Sequence, residues 1–273
     1  MKRTMVIFAL MSLTVVVLFV GNQTWLFAKP PLAAQDTLAT ARQLYEGGHY
    51  AQAAQGYQQL ADQGFADNAL FYNLGNAYFK QGDYGRAILN YRRAQQLAPR
   101  DADIQANLDL ARAQIIDQPD QNPADTPVDG FFVRLGRQTQ RWLTLNELAL
   151  LTVGLWFWLV ALVILFGNTR PGSFFREGLP YALVVSALGL TVGLVSLGSR
   201  LYVEQTRPEG VIVAHELNVT SGPGSQYLTA FTLHSGTEVN LVEQRGNWIR
   251  LALPDNTELQ GWAPISAVEA IGR

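Results

Sequence analysis

Side chains able to do covalent or metal chemistry are scarce in this 273-residue sequence. There is no cysteine, which removes disulfides, thiolate nucleophiles and thiolate-held zinc or iron–sulfur clusters. The three histidines, His49, His215 and His234, stand far apart and match neither H-E-x-x-H nor any other metal-ligand spacing. No nucleophile–base set and no phosphate-binding glycine loop stands out, so the expectation is a protein without catalysis, metal or other cofactor. What is left is recognition by amide, aromatic and arginine side chains, and the elements that carry them decide what they can hold.

Composition points to lipid. Hydrophobic residues make up 48% of the chain and charged residues 15%, against about 25% charged in an ordinary soluble protein. A net charge of −2, with no basic arm, argues against a nucleic-acid partner. Lys2 and Arg3 precede the uncharged run Met5 to Val20, the pattern of an export signal. Residues 1–28 are read as a signal peptide, cut after Ala28 or Ala34, or as a retained N-terminal anchor. Two further uncharged runs are long enough for membrane helices, at 145–167 and 179–198, joined by a short loop at 168–178. Thr144 and Glu147 form a capping-box pattern in front of the first run, and Pro180 suits the first turn of the second. Gly189 and Gly193 make a GxxxG that would let the first span approach closely.

Between the export signal and these spans the sequence repeats with a period of 34 residues. In the copy at 68–101, Phe71, Leu74, Gly75, Tyr78, Ala87, Tyr91, Ala94 and Pro99 alternate large and small where two crossing helices need it, and proline ends the second helix. The copy at 34–67 keeps Ala41, Leu44, Ala53 and Tyr57 in register, and its turn Gly47-Gly48-His49-Tyr50 matches Gln81-Gly82-Asp83-Tyr84. Ile104, Leu108 and Leu110 continue into a capping helix that ends the array near 116. This resembles the tetratricopeptide repeat (TPR), an all-α helical repeat. The resemblance implies a peptide-binding groove on the first helices, here presenting Arg42, Tyr45, Tyr72, Asn73, Asn76, Phe79, Lys80 and Asn107. Asparagines there suit an extended backbone. The carboxylate clamp of some TPR proteins is not matched, because Leu38 and Asp103 stand where it needs cations.

Residues 117–130 are acidic and proline-rich, which reads as a linker. In 131–142, Phe131, Leu135 and Trp142 share one helical face and Arg134, Arg137 and Arg141 another. That is an interfacial helix with its arginines on lipid headgroups, or else an amphipathic helix packed on the repeat.

From 208 to 273 the chain alternates in short runs broken by glycine, giving five or so strands that would close into a small barrel without exposed edges. Leu217-Asn218-Val219 before Ser221-Gly222-Pro223, then Gly246-Asn247-Trp248 and Gly261-Trp262-Ala263, resemble bacterial SH3 (SH3b) domains, apart from Thr220 where that family often has arginine. The resemblance implies a binding surface with Tyr227 and Trp248, and cell-wall peptide as a candidate ligand. Trp262, after glycine in a strand, is read as core.

The fold class expected is therefore multidomain: an all-α TPR repeat, two transmembrane helices and a C-terminal all-β SH3-like barrel. That order resembles the E-type proteins of the bacterial aerotolerance (Bat) operon. It implies a scaffold or adaptor in an envelope complex, with von Willebrand A domain membrane proteins and a MoxR-type AAA ATPase as partners. The alternative is a peptidoglycan-binding protein acting through the SH3-like domain. Export would put repeat and barrel in the periplasm beside the inner membrane, with Arg170 and Arg176 on the inner loop as the positive-inside rule asks. Arg134, Arg137 and Arg141, counted alone, favour the opposite orientation. Export takes precedence, because a long preceding domain translocates largely regardless of charge.

Overall fold

The computed structural model describes residues 32–117, 130–170, 172–254 and 259–272; the expected signal segment at 1–28 and linker residues 118–129 lie outside them. Contacts divide the chain into two compact units, one uniting Pro30–Trp142 with Leu201–Arg273 and the other containing Leu143–Arg200.

In the larger unit, α1 (Leu32–Glu46) and α2 (Tyr50–Asp62) form one helical hairpin, α3 (Asn68–Gln81) and α4 (Tyr84–Leu97) a second, and α5 (Ala102–Arg112) follows. The hairpins turn at Gly48 and Gly82, whose φ values of 79° and 80° lie where a side chain would be strained. Asp67, Asp83 and Asp101 start the next three helices by accepting from the backbone N–H groups of Leu70 (2.6 Å), Arg86 (3.1 Å) and Ile104 (3.2 Å). Gly75 lets α3 and α4 cross closely, since a Cβ there would come within 2.7 Å of the Tyr91 ring. Ala41, Ala53, Tyr57, Leu74 and Ala94 bury together as the core of this helical region.

Among the described residues seven strands follow: β1 (Glu209–Ile212), β2 (Glu216–Thr220), β3 (Thr229–His234), β4 (Glu238–Arg245), β5 (Trp248–Ala252), β6 (Gln260–Pro264) and β7 (Val268–Ala270). They form one antiparallel sheet in the order β3-β2-β6-β5-β4-β1-β7. The expected barrel is not closed, for β3 and β7 remain the two edges of the series. Closure is one way to satisfy an edge, and here the helical region supplies another. Arg93 Nη2 donates to the Ala270 carbonyl of β7 at 2.9 Å, and Asp117 accepts the His234 N–H of β3 at 2.7 Å.

Helices and sheet share a core. Ala87, Ile88 and Leu89 of α4, Leu108 and Ala111 of α5, and Ile115 bury against Val211 of β1 and Ile271. A terminal repeat exposes an apolar face unless something caps it, and the sheet is that cap. Backbones come close at the joint: a Cβ on Gly85 would lie 2.1 Å from Ser235 Oγ and 3.0 Å from both Gly236 N and Ile212 O. Around this core Arg92 bridges Glu209 and Glu238, its Nε lying 2.9 Å from Glu238 Oε2, while Arg112 Nε donates to Glu238 Oε1 at 2.8 Å. Burial works against the Arg92 charge, but the two carboxylates outweigh it and hold its pKa above the usual arginine value.

Asp117, the first residue of the expected linker, belongs to the same joint. It also accepts from Thr237 Oγ1 at 2.7 Å, and its Oδ1 lies 3.0 Å from His234 Nδ1. Burial raises its pKa, but hydrogen bonds from Thr237, the His234 N–H and the His234 ring lower it further, so it stands below the usual carboxylate value.

After α6 (Phe131–Gln140) come α7 (Leu145–Asn168) and α8 (Phe174–Thr206). Both α7 and α8 are long and apolar enough to cross a membrane, with mean hydropathies of 2.6 and 2.0 over an 18-residue window of each. Thr144 and Glu147 close the capping box of α7, the Thr144 N–H donating to Glu147 at 2.8 Å and the Glu147 N–H to Thr144 Oγ1 at 3.2 Å. Helix α8 begins at Phe174, so Pro180 lies in its second turn and not its first. Gly193 faces α7, where a Cβ would stand 2.9 Å from Thr152 Oγ1.

The joint makes a stability prediction. Gly85→Val should destabilise the full chain by about 1–3 kcal/mol through overpacking against the turn before β4, read as a lower urea midpoint in detergent. An unchanged midpoint would mean that α4 and the sheet do not meet at this distance.

Candidate functional site

The residues read as a groove lie on α1 (Arg42, Tyr45), α3 (Tyr72, Asn73, Asn76, Phe79, Lys80) and α5 (Asn107). The 34-residue period brings them onto corresponding helices, and the side chains then organise one another. Asn76 Oδ1 accepts from Tyr91 Oη at 2.7 Å and from Asn107 Nδ2 at 2.9 Å. Asn107 Nδ2 also donates to Tyr72 Oη at 2.9 Å. Both Asn76 acceptor sites are therefore used, leaving its amide N–H groups, while Asn107 has spent its donors and its carbonyl oxygen meets no donor among the described residues. A donor and an acceptor side by side match the C=O and N–H of a peptide backbone.

The other groove residues fall into two sets. Arg42 and Lys80 are exposed and Asn73 is half-buried. Tyr45 stacks edge-on with Tyr50 at 5.3 Å between centroids, and Phe79 with Tyr84 at 5.5 Å. Tyr72 and Phe79 also pack at the margin of the core shared with the sheet.

The sequence reading treats Tyr91 only as a space-filling ring, whereas its hydroxyl fixes the orientation of the Asn76 amide. A tyrosine instead of phenylalanine at a position 1% exposed is the available signal, since a buried hydroxyl needs a partner. Burial also pushes the Tyr91 pKa well above the ordinary phenol value, so the hydroxyl stays a donor.

On the sheet, Tyr227 is 45% exposed and lies over Gly222, where a Cβ would meet its ring at 2.6 Å. Trp248, at the start of β5, is half-buried. Trp262 is buried, with the guanidinium carbons of Arg245 and Arg250 at 5.2 and 6.0 Å from its ring centre. On α6 and its C-terminal end, Arg134 and Arg141 are exposed and Arg137 is half-buried. Val133 and Gly136 form the buried face of that helix, and Arg100 Nη1 donates to the Trp142 carbonyl at 3.0 Å.

The tetratricopeptide repeat family model matches residues 69–101, which span nearly all of the α3–α4 hairpin and the turn after it. No curated protein matches the chain. The helical region thus contains a repeat of a kind that serves protein–protein interaction, followed by an antiparallel sheet and accompanied by two long apolar helices.

Proposed function

We propose that this protein is a membrane-anchored adaptor, not an enzyme, whose helical repeat captures an extended segment of a partner protein. The observation that carries the reading is the oriented pair Asn76 and Asn107, which leaves one donor and one acceptor for a backbone without demanding a particular sequence. Arg42 and Lys80, both exposed on the first helices, favour acidic residues on the partner.

The larger setting follows from the order of the parts. An apolar N-terminal run, the repeat, two apolar helices and a sheet read as SH3-like support an accessory subunit of a bacterial envelope complex, akin to the E-type proteins of the aerotolerance operon. Partners of the von Willebrand A and MoxR types follow from that likeness. Helices α7 and α8 serve as transmembrane spans, with repeat and sheet in the periplasm. The shared core supports this arrangement: two domains packed on one another must lie on one side of a bilayer, and an even number of spans between them returns the chain to that side.

Two experiments test the proposal. In crosslinking from native membranes, Asn76→Asp with Lys80→Glu should abolish partner capture while the protein stays folded; capture at the wild-type level would rule out the groove. Alkaline phosphatase fused after Arg112, within the 169–173 connection of α7 and α8 and after Arg273 should give active, inactive and active reporters. An active loop fusion with silent ends would reverse the topology.

A further inference from the structure

A polar cleft of about 500 Å³ lies between α4, α5, the start of β1 and the C-terminal end of α6, and the peptide groove does not use it. Its lining includes Arg92, Gln95, Gln105, Arg112, Arg137 and Arg141, with no large apolar side chain among the described residues. We propose that this cleft binds the phosphodiester of an anionic membrane phospholipid, an inference that rests on reading α7 as a membrane span.

The floor of the cleft is ordered in advance. Gln95 accepts from Arg92 Nη1 at 2.7 Å and donates to Gln105 Oε1 at 2.5 Å, and Gln105 donates onward to Asp109 at 3.0 Å. Arg92 and Arg112 are held by Glu209, Glu238 and Asp109. Those three carboxylates pair with Arg92 and Arg112, and Arg137 and Arg141 add two further guanidinium groups to the lining. A phosphodiester carries one negative charge, and its non-bridging oxygens fit the donor fork of a guanidinium. Arg141 is exposed, so its guanidinium can be reached by a ligand.

Position favours a lipid over a soluble phosphate. Arg141 is followed by Trp142, which is 63% exposed, and then within three residues by the start of α7. At the other end of α6, Phe131 and Phe132 are 63% and 57% exposed. Aromatic side chains flanking the entry to an apolar span belong at headgroup depth, where lipid phosphates are concentrated. Arg134 points elsewhere than the cleft, for it is not among the lining residues, which makes it a control on the same helix.

The test uses the full chain in mild detergent, with bound lipid counted by native mass spectrometry. One phosphatidylglycerol per chain should be retained about tenfold more tightly than phosphatidylcholine. The double variant Arg137→Gln with Arg141→Gln should lose about tenfold, while Arg134→Gln keeps wild-type binding. Equal loss in the double variant and in Arg134→Gln would mean general surface charge and overturn the site. Displacement of the lipid by an equal concentration of inorganic phosphate would overturn the lipid as its ligand. Carbonate extraction separates the two levels of the argument: a chain released from membranes removes the membrane reading itself, whereas a chain that stays and shows no cleft-dependent lipid removes only the site.

Discussion

Arg92 sits between Glu209 and Glu238, and the architecture of the larger unit depends on that bridge. Removing three charges from water is costly, so the arrangement holds only where geometry is good and every partner is present. Here Arg112 shares Glu238, and the side chains of Arg92 and Glu238 are 17% and 18% exposed. The apolar contact of Ile88 with its neighbours Val211 and Ile271 could slide by a turn at modest cost. Charges paired across it cannot, so the bridge sets the register in which the sheet meets the helices. Arg93 and Asp117, placed on either side, then reach the two open edges of the sheet.

This joint reaches the groove through two side chains. Tyr91 packs in the core shared with β1 and at the same time donates to Asn76. Tyr72, at the margin of that core, accepts from Asn107. The amides that would meet a partner's backbone are therefore positioned by rings whose packing the sheet completes. A sheet in this role is more than a second binding module on a tether, because it finishes the array that two hairpins and a lone helix leave open.

Much of the helical region was legible in the sequence because its causes are local. The glycine that turns each hairpin and the alternation of large and small side chains both act within a few residues. The capping box at Thr144 was readable for the same reason. The joint was not, since Ile88, Val211 and Ile271 look like ordinary core residues of separate modules, and Arg92 and Glu209 are 117 positions apart. Strand number and closure also escaped: an alternating pattern shows which face is buried but not which strands are neighbours. In the groove, the residues Tyr72, Asn76 and Asn107 could be named from the period, yet which amide donates and which accepts depends on hydrogen bonds across three helices.

The central claim, that repeat and sheet form one cooperative body, is tested most directly by native-state hydrogen exchange on the full chain. Amides of α4 and α5 should open with the same free energy as those of β1 and β4, and Glu238→Gln should lower both by the same amount, because the substitution leaves Arg92 and Arg112 short of a partner at the joint. If the sheet keeps its protection while α4 and α5 lose theirs, or the reverse, the two are separate modules in contact and the account is wrong.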